Sequence, residues 1–178
     1  MQIPQPRLPG RPAAPHTELE AGLEAGLDAG PAVELAPVIT GARRRALRDG
    51  DRQIDTAHLL HALLETDQEA RAALGAAPLV ARVLGYLVQR SIGYGLRWQA
   101  SAEEPGGRSG RSGAPVWSPS ADAALRGAAE RAGRRGERGA AGVDLLAALA
   151  GDGGCRAVEV LGRAGVDAGE LRGRLGVG

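Results

Sequence analysis

The sequence has 178 residues, a formal net charge of +1, a single Cys and no Lys among its 22 basic residues. Without Lys it contains no phosphate loop of the G-x-x-x-x-G-K-[ST] kind and no lysine Schiff base, and one Cys excludes an internal disulfide. Because the charge is near zero and neither a signal peptide nor an apolar run of about 18 residues is present, we expect a soluble cytoplasmic protein that is not drawn to membranes.

The apolar composition favours helices over strands. Hydrophobic residues make up 43% of the chain but aromatic residues only 2%, and Phe is absent. A core of Leu, Val and Ala suits closely packed helices better than a sheet. The sequence therefore predicts an all-α fold.

Residues 1–31 are predicted to be a disordered or marginally helical tail. Five prolines recur at short intervals between Pro4 and Pro15 and prevent a helix there. The motif Leu-Glu-Ala-Gly then begins at Leu19 and recurs, with Asp for Glu in its third copy. A Gly in every turn costs a helix about 1 kcal/mol each time.

Residues 32–98 are predicted to form a first repeat. Pro37 suits the first position of a helix, and Thr56 is a natural N-cap for the next. Gly75 is expected to end a third helix. The four helices are predicted over residues 36–48, 56–65, 68–74 and 79–90.

Residues 99–115 are rich in Gly, Ser and Arg and predict a flexible linker. Trp98 and Trp117 flank this linker. We expect both rings to cover the core at the junction of the two halves.

Residues 116–176 are predicted to form a second repeat. Ser118 is a predicted N-cap that precedes Pro119 at the first helical position, and Asp167 is the predicted N-cap of the last helix. The helices are predicted to end near residues 133, 150, 164 and 175.

The two halves carry the same pattern 86 positions apart, so that Leu59, Leu60 and Leu63 correspond to Leu145, Leu146 and Leu149. A second match, Leu74-Gly75 with Leu161-Gly162, follows one residue out of step. Neither half has much apolar surface of its own to bury. The duplication therefore predicts two repeats that share one core.

The motif Thr56-Ala57-His58-Leu59-Leu60-His61-Ala62-Leu63, after an Arg- and Ala-rich helix, resembles the Clp N-terminal repeat domain of Clp-type AAA+ unfoldases. Trp117-Ser118-Pro119-Ser120-Ala121 is similar to the opening of that family's second repeat. The resemblance covers about residues 32–176. It implies an eight-helix bundle of two pseudo-symmetric four-helix repeats, as a stand-alone domain without ATPase modules.

The resemblance also implies a function without catalysis. The family's domain docks substrates and adaptor proteins, so the expected partners are a Clp unfoldase, its substrates or ligands of its N-terminal domain. An adaptor or a decoy for the Clp protease system is the leading hypothesis. In members that bind phosphorylated arginine, both repeats have Glu where this sequence has Ala57 and Val143. These positions lack the carboxylate that holds the guanidinium.

Arginines form the densest charge, on the first predicted helix of each repeat. They indicate either a solvated helix face or a docking surface for an acidic partner. A nucleic-acid-binding or regulatory module is the alternative function, although no nucleic-acid motif or interleaved aromatic residues support it. The predicted partner-binding residues are Arg43, Arg44, Arg45, Arg48, Ala57, His58, Arg131, Arg135 and Val143.

No catalytic, cofactor or metal site is predicted. His58 and His61 are three residues apart on one predicted helix, but no third ligand lies near them in sequence. We interpret His58 as a hydrogen-bonding residue at the helix start. Cys155 lies in no activating motif and is expected to be a half-buried inert thiol.

Overall fold

The computed structural model describes residues 32–91 and 114–176, and the structural statements below concern these two ranges. Most of the predicted linker, Trp98 and the predicted tail lie outside the described residues. Within them the helices are α1 (Ala32–Asp49), α2 (Thr56–Thr66), α3 (Gln68–Leu74), α4 (Ala77–Ser91), α5 (Pro119–Arg134), α6 (Gly142–Gly151), α7 (Arg156–Arg163) and α8 (Ala168–Arg174). The strands are β1 (Gln53–Ile54) and β2 (Val116–Trp117).

The start of α1 and the N-cap of α2 differ from the prediction. Helix α1 begins at Ala32, so that Pro37 lies inside it, where its nitrogen cannot donate to the carbonyl of residue 33. Helix α2 is capped by Asp55 instead of Thr56. The Asp55 carboxylate accepts hydrogen bonds from the amides of Ala57 and His58, each at 3.0 Å, and thereby satisfies two donors.

The predicted caps of the second repeat are confirmed. Ser118 accepts a hydrogen bond from the amide of Ala121 at 3.2 Å, and Pro119 is the first residue of α5. Asp167 accepts from the amide of Glu170 at 2.7 Å at the start of α8. These caps are local, which is why the sequence alone locates them.

A short parallel strand pair, which the sequence does not predict, joins the repeats. Gln53 is opposite Val116, and Ile54 is opposite Trp117. The Ser118 amide donates to the Ile54 carbonyl at 3.0 Å. The pair thus fixes the start of α5 beside the start of α2.

The two repeats share one hydrophobic core, as predicted. Helix α2 is buried on all sides from Thr56 to Leu64, and it contacts α6 and α7 of the second repeat as well as its own neighbours. Helix α6 in turn contacts α3. The prediction of an eight-helix bundle of two four-helix repeats is confirmed for the described residues.

The first two helices of each repeat approach each other closely at a glycine. A Cβ atom on Gly41 would lie 3.0 Å from the Cβ of Ala62. The corresponding pair, 86 residues later, is Gly127 and Ala148, at 3.5 Å. Gly127 therefore lies at a helix contact that both repeats build in the same way.

Candidate functional site

The junction of α1 and α2 holds a buried imidazole among three carboxylates. His58 is 2% exposed; its Nε2 lies 3.2 Å from Asp51 Oδ2 and 3.9 Å from Asp49 Oδ2. Its Nδ1 lies 3.1 Å from the Asp55 amide nitrogen and 2.9 Å from Asp55 Oδ1, which confirms His58 as a helix-start residue. Burial alone would lower the pKa of His58, but Asp51 and Asp55 raise it to about 9.

Asp55 connects this cluster to the second repeat. Its Oδ2 accepts from Arg90 of α4 and, at 2.8 Å, from Arg156 of α7. Burial by itself would raise the pKa of Asp55, but His58 and the two guanidinium groups hold it well below its usual range. When His58 is protonated, its charge and those of the two arginines balance the charges of the three carboxylates, as a buried cluster requires.

The second repeat has the same buried position with the opposite charge. Asp144, 86 residues after His58, is 1% exposed. Arg135, 86 residues after Asp49, donates to both of its oxygens, at 2.6 and 2.7 Å. The Asp144 carboxylate also accepts from the Ala141 amide at 3.0 Å. Each repeat thus ties its first two helices together with an ion pair, and the two pairs differ in sign.

The first repeat also caps a helix of the second. The Thr56 hydroxyl accepts a hydrogen bond from the amide of Ala157 at 3.1 Å, at the start of α7 in the other repeat. At the corresponding place in the second repeat stands Gly142, where a Cβ atom would lie only 2.0 Å from Asp67 Oδ2. The Asp67 carboxylate caps α3 through the amide of Ala70 at 2.7 Å. One interface is therefore capped across the repeats and the other within a repeat.

Two of the predicted partner-binding residues are inside the protein. Ala57 is 1% exposed, and His58 is enclosed by the carboxylates just described. Both lie in the first turn of α2, which the second repeat covers. Neither side chain is on the surface, so this part of the prediction is corrected.

Several predicted arginines are engaged by acids of the same chain. Arg45 pairs with Glu65, and Arg131 Nε lies 3.2 Å from Asp144 Oδ1. Arg135 holds the same Asp144. Arg131 and Arg135 thus stabilise the bundle, because a buried carboxylate needs their charge, while the Arg135 side chain remains 40% exposed.

Three neighbouring residues of α1 remain as an exposed surface. Arg44 is exposed, Leu47 is 60% exposed, and the Arg48 side chain is 64% exposed. We call Arg44, Leu47 and Arg48 the α1 patch. Arg43 lies beside it with its guanidinium 5.7 Å from the centre of the half-buried Trp117 ring. Val143, the last predicted residue, is half-buried at the start of α6.

The remaining candidates for chemistry are enclosed. Cys155 is 1% exposed, more deeply buried than predicted, and its thiol lies 3.5 Å from the Leu149 carbonyl. His61 is 4% exposed; burial and the nearby Arg45 lower its pKa to about 4. Between residues 32 and 91 and between 114 and 176, no three His, Cys, Asp or Glu side chains are grouped as metal ligands.

Within residues 32–91 and 114–176, no single helix is long and apolar enough to cross a bilayer. Helices α3 and α4 meet the length and composition together, but they are bent by 104° where they join.

The fold is similar to N-terminal domains of Clp-type chaperones. The Hsp104 N-terminal domain from Candida albicans matches with a TM-score of 0.60 and 14% identity, over 82% of this chain and 89% of that chain. The N-terminal domain of the caseinolytic protease associated chaperone ClpD from Arabidopsis thaliana matches with a TM-score of 0.61 and 21% identity, over 82% and 91%.

A third match comes from a malarial protein secretion system, with a TM-score of 0.57 and 16% identity, over 83% of this chain and 92% of that chain. No family model and no curated protein matches the sequence. The chain thus has the Clp N-terminal domain fold, and the predicted resemblance is confirmed at the level of fold.

Proposed function

We propose that this protein is a non-catalytic cytoplasmic module that binds a protein or peptide partner, and that it acts as an adaptor or a decoy in a Clp-type protease system. One observation carries the proposal: the described bundle matches chaperone N-terminal domains over nearly their whole length. An adaptor would bring a substrate to the unfoldase. A decoy would occupy ligands of the unfoldase's own N-terminal domain.

The arrangement of the ionisable side chains supports a binding role. Catalysis by proton transfer or nucleophilic attack needs a reactive group that a substrate can reach. In the described residues, His58, His61 and Cys155 are buried. The α1 patch, by contrast, exposes two cations and a leucine, which suit protein binding.

The alternative, a nucleic-acid-binding module, loses support from the arginine contacts. Binding to a nucleic-acid backbone requires guanidinium groups that can neutralise phosphates and displace the counterions condensed on them. Arg45, Arg131 and Arg135 instead contact carboxylates of this chain. A gel shift at low salt that disappears as salt is raised would favour this alternative.

A degradation assay tests the proposed function. The folded chain is added to a purified Clp-type unfoldase and its peptidase, with one substrate that depends on the unfoldase's N-terminal domain and one that does not. An adaptor accelerates and a decoy slows degradation of the dependent substrate only. If neither rate changes and the immobilised chain retains neither the unfoldase nor the substrate, the proposal is wrong.

A further inference from the structure

We propose that the α1 patch binds an acidic segment of a partner protein, in which an apolar side chain lies between two carboxylates. This inference rests on the proposed function and describes its partner chemically. The patch consists of Arg44, Leu47 and Arg48, as defined above.

The spacing of the patch brings its three side chains together. Positions i, i+3 and i+4 of a helix lie on one face. The opposite face of α1 carries the buried residues Leu35, Val38, Ala42 and Ala46, which pack into the core. The patch therefore points away from the core, and its leucine leaves most of its surface exposed to water.

The second repeat shows that the fold does not require this patch. The residues 86 positions after Arg44, Leu47 and Arg48 are Glu130, Gly133 and Arg134, all of them exposed. A Cβ atom on Gly133 would meet nothing within 4 Å. The same helix position thus tolerates a residue without a side chain. An exposed leucine at this position is therefore not a requirement that the two repeats share.

The charge of the patch selects the partner. Arg44 has no ion pair among the described residues, and Arg48 has only the adjacent Asp49, with its Nε 3.4 Å from Oδ1. Two guanidinium groups one turn apart, with an apolar side chain beside them, complement two carboxylates that are one turn apart beside an apolar side chain. The central leucine favours a peptide over a bare phosphate chain, because only the peptide gains by covering it.

Fluorescence anisotropy with a labelled synthetic peptide tests the inference. The probe contains Glu-x-x-Leu-Glu twice, and the reference peptide has Lys in place of each Glu. The variant Arg44→Glu/Arg48→Glu is expected to weaken binding of the probe at least about tenfold, and Leu47→Ala about threefold or more. The reference peptide is not expected to bind the unsubstituted protein.

Exposed arginines of the second repeat supply the matched control. Arg134→Glu/Arg138→Glu changes the net charge by the same amount, away from the patch. It should leave the affinity within about twofold, with unchanged circular dichroism in all variants. Equal losses in both double variants, or no binding of the probe to the unsubstituted protein, would overturn the inference.

Failure of the α1 patch can be distinguished from failure of the proposed function. If Arg44→Glu/Arg48→Glu abolishes probe binding and also removes the effect on N-domain-dependent degradation, both proposals hold. If the degradation effect persists in this variant and the probe binds it as tightly as the unsubstituted protein, the α1 patch is refuted and the proposed function stands.

Discussion

Two corresponding positions, one of them buried in both repeats, carry opposite charges in the two repeats. Asp49 and His58 occupy them in the first repeat, and Arg135 and Asp144 in the second. In each repeat one member of the pair lies at the end of the first helix and the other near the start of the second. The pair therefore links the two helices whichever member carries the positive charge. A single substitution to the other repeat's residue would leave two like charges near each other in a buried site.

The two buried histidines predict a stability maximum near pH 6.5. The pKa of His58 rises from about 6.5 unfolded to about 9 folded, so its contribution is complete below pH 6.5 and is lost between pH 6.5 and 9. The pKa of His61 falls to about 4, so stability also decreases as the pH drops from 6.5 to 4. For His58 the difference corresponds to roughly 3 kcal/mol.

Urea unfolding between pH 4 and 9 measures this dependence. His58→Gln places a side-chain oxygen near the Asp55 amide but removes the titration, so it should flatten the alkaline side of the profile. His61→Gln should flatten the side between pH 6.5 and 4. An alkaline side that is unchanged in His58→Gln would contradict the assignment.

Gly142 is predicted to be intolerant of any side chain. Gly142→Ala places a methyl group on the Asp67 carboxylate and should lower the free energy of unfolding by about 2 kcal/mol. Asp67→Ala removes the obstacle as well as the cap of α3, so the double variant should lose less than the sum of the single losses.

Gly127→Ala is the control for Gly142→Ala, because a methyl group at residue 127 would lie 3.5 Å from the Cβ of Ala148, an ordinary contact distance. It should be at least as stable as the parent, since Ala is the better helix former. Additive effects of Gly142→Ala and Asp67→Ala in urea unfolding would disprove the proposed contact.

At the scale of the element, α7 depends on the other repeat for its start. Its own N-cap, Cys155, makes no side-chain cap bond, whereas Thr56 accepts from Ala157 and Asp55 binds Arg156. Arg82 of α4 also donates to the Ala164 carbonyl, at 3.2 Å, at the helix end. The first repeat thus holds α7 at both ends.

Thr56→Ala is expected to destabilise the protein by about 1 kcal/mol through loss of the α7 cap. Thr56→Ser keeps the hydroxyl and should recover most of the loss. Hydrogen exchange should show faster exchange of the Ala157 amide in Thr56→Ala. Faster exchange confined to α2 would contradict the assignment of Thr56 as the cap of α7.

At the scale of the whole molecule, the repeats form one folding unit. Helix α2 lies between its own repeat and the second repeat, so its leucines are buried by residues from both. Cross-repeat bonds such as Arg174 to the Leu74 carbonyl, at 3.3 Å, add to this core. We expect one cooperative unfolding transition instead of two.

Two measurements check this expectation. Circular dichroism and tryptophan fluorescence should give the same midpoint in urea. A fragment of residues 32–98 should have the spectrum of a largely unfolded chain, because the side of α2 that faces the second repeat would be exposed. A folded fragment, or two separate midpoints, would show that the repeats are independent.

The sequence by itself determined the helices, the duplication and the fold. Leucine spacing and local caps such as Ser118 and Asp167 depend only on near neighbours in the chain, so they can be read directly. When the two repeats are aligned 86 residues apart, Asp49 matches Arg135 and His58 matches Asp144. This simultaneous reversal of charge at two positions indicates an ion pair, and it can be read from the sequence.

Only the tertiary structure decided which polar residues are on the surface. Burial and cross-repeat contacts join residues as distant as Asp55 and Arg156, and no periodicity encodes them. Because of these contacts, Ala57 and His58 are buried in the interior, and Arg131 and Arg135 pair with Asp144. In α1, Arg44 and Arg48 remain exposed beside Leu47, and among the described residues only Asp49 pairs with either of them.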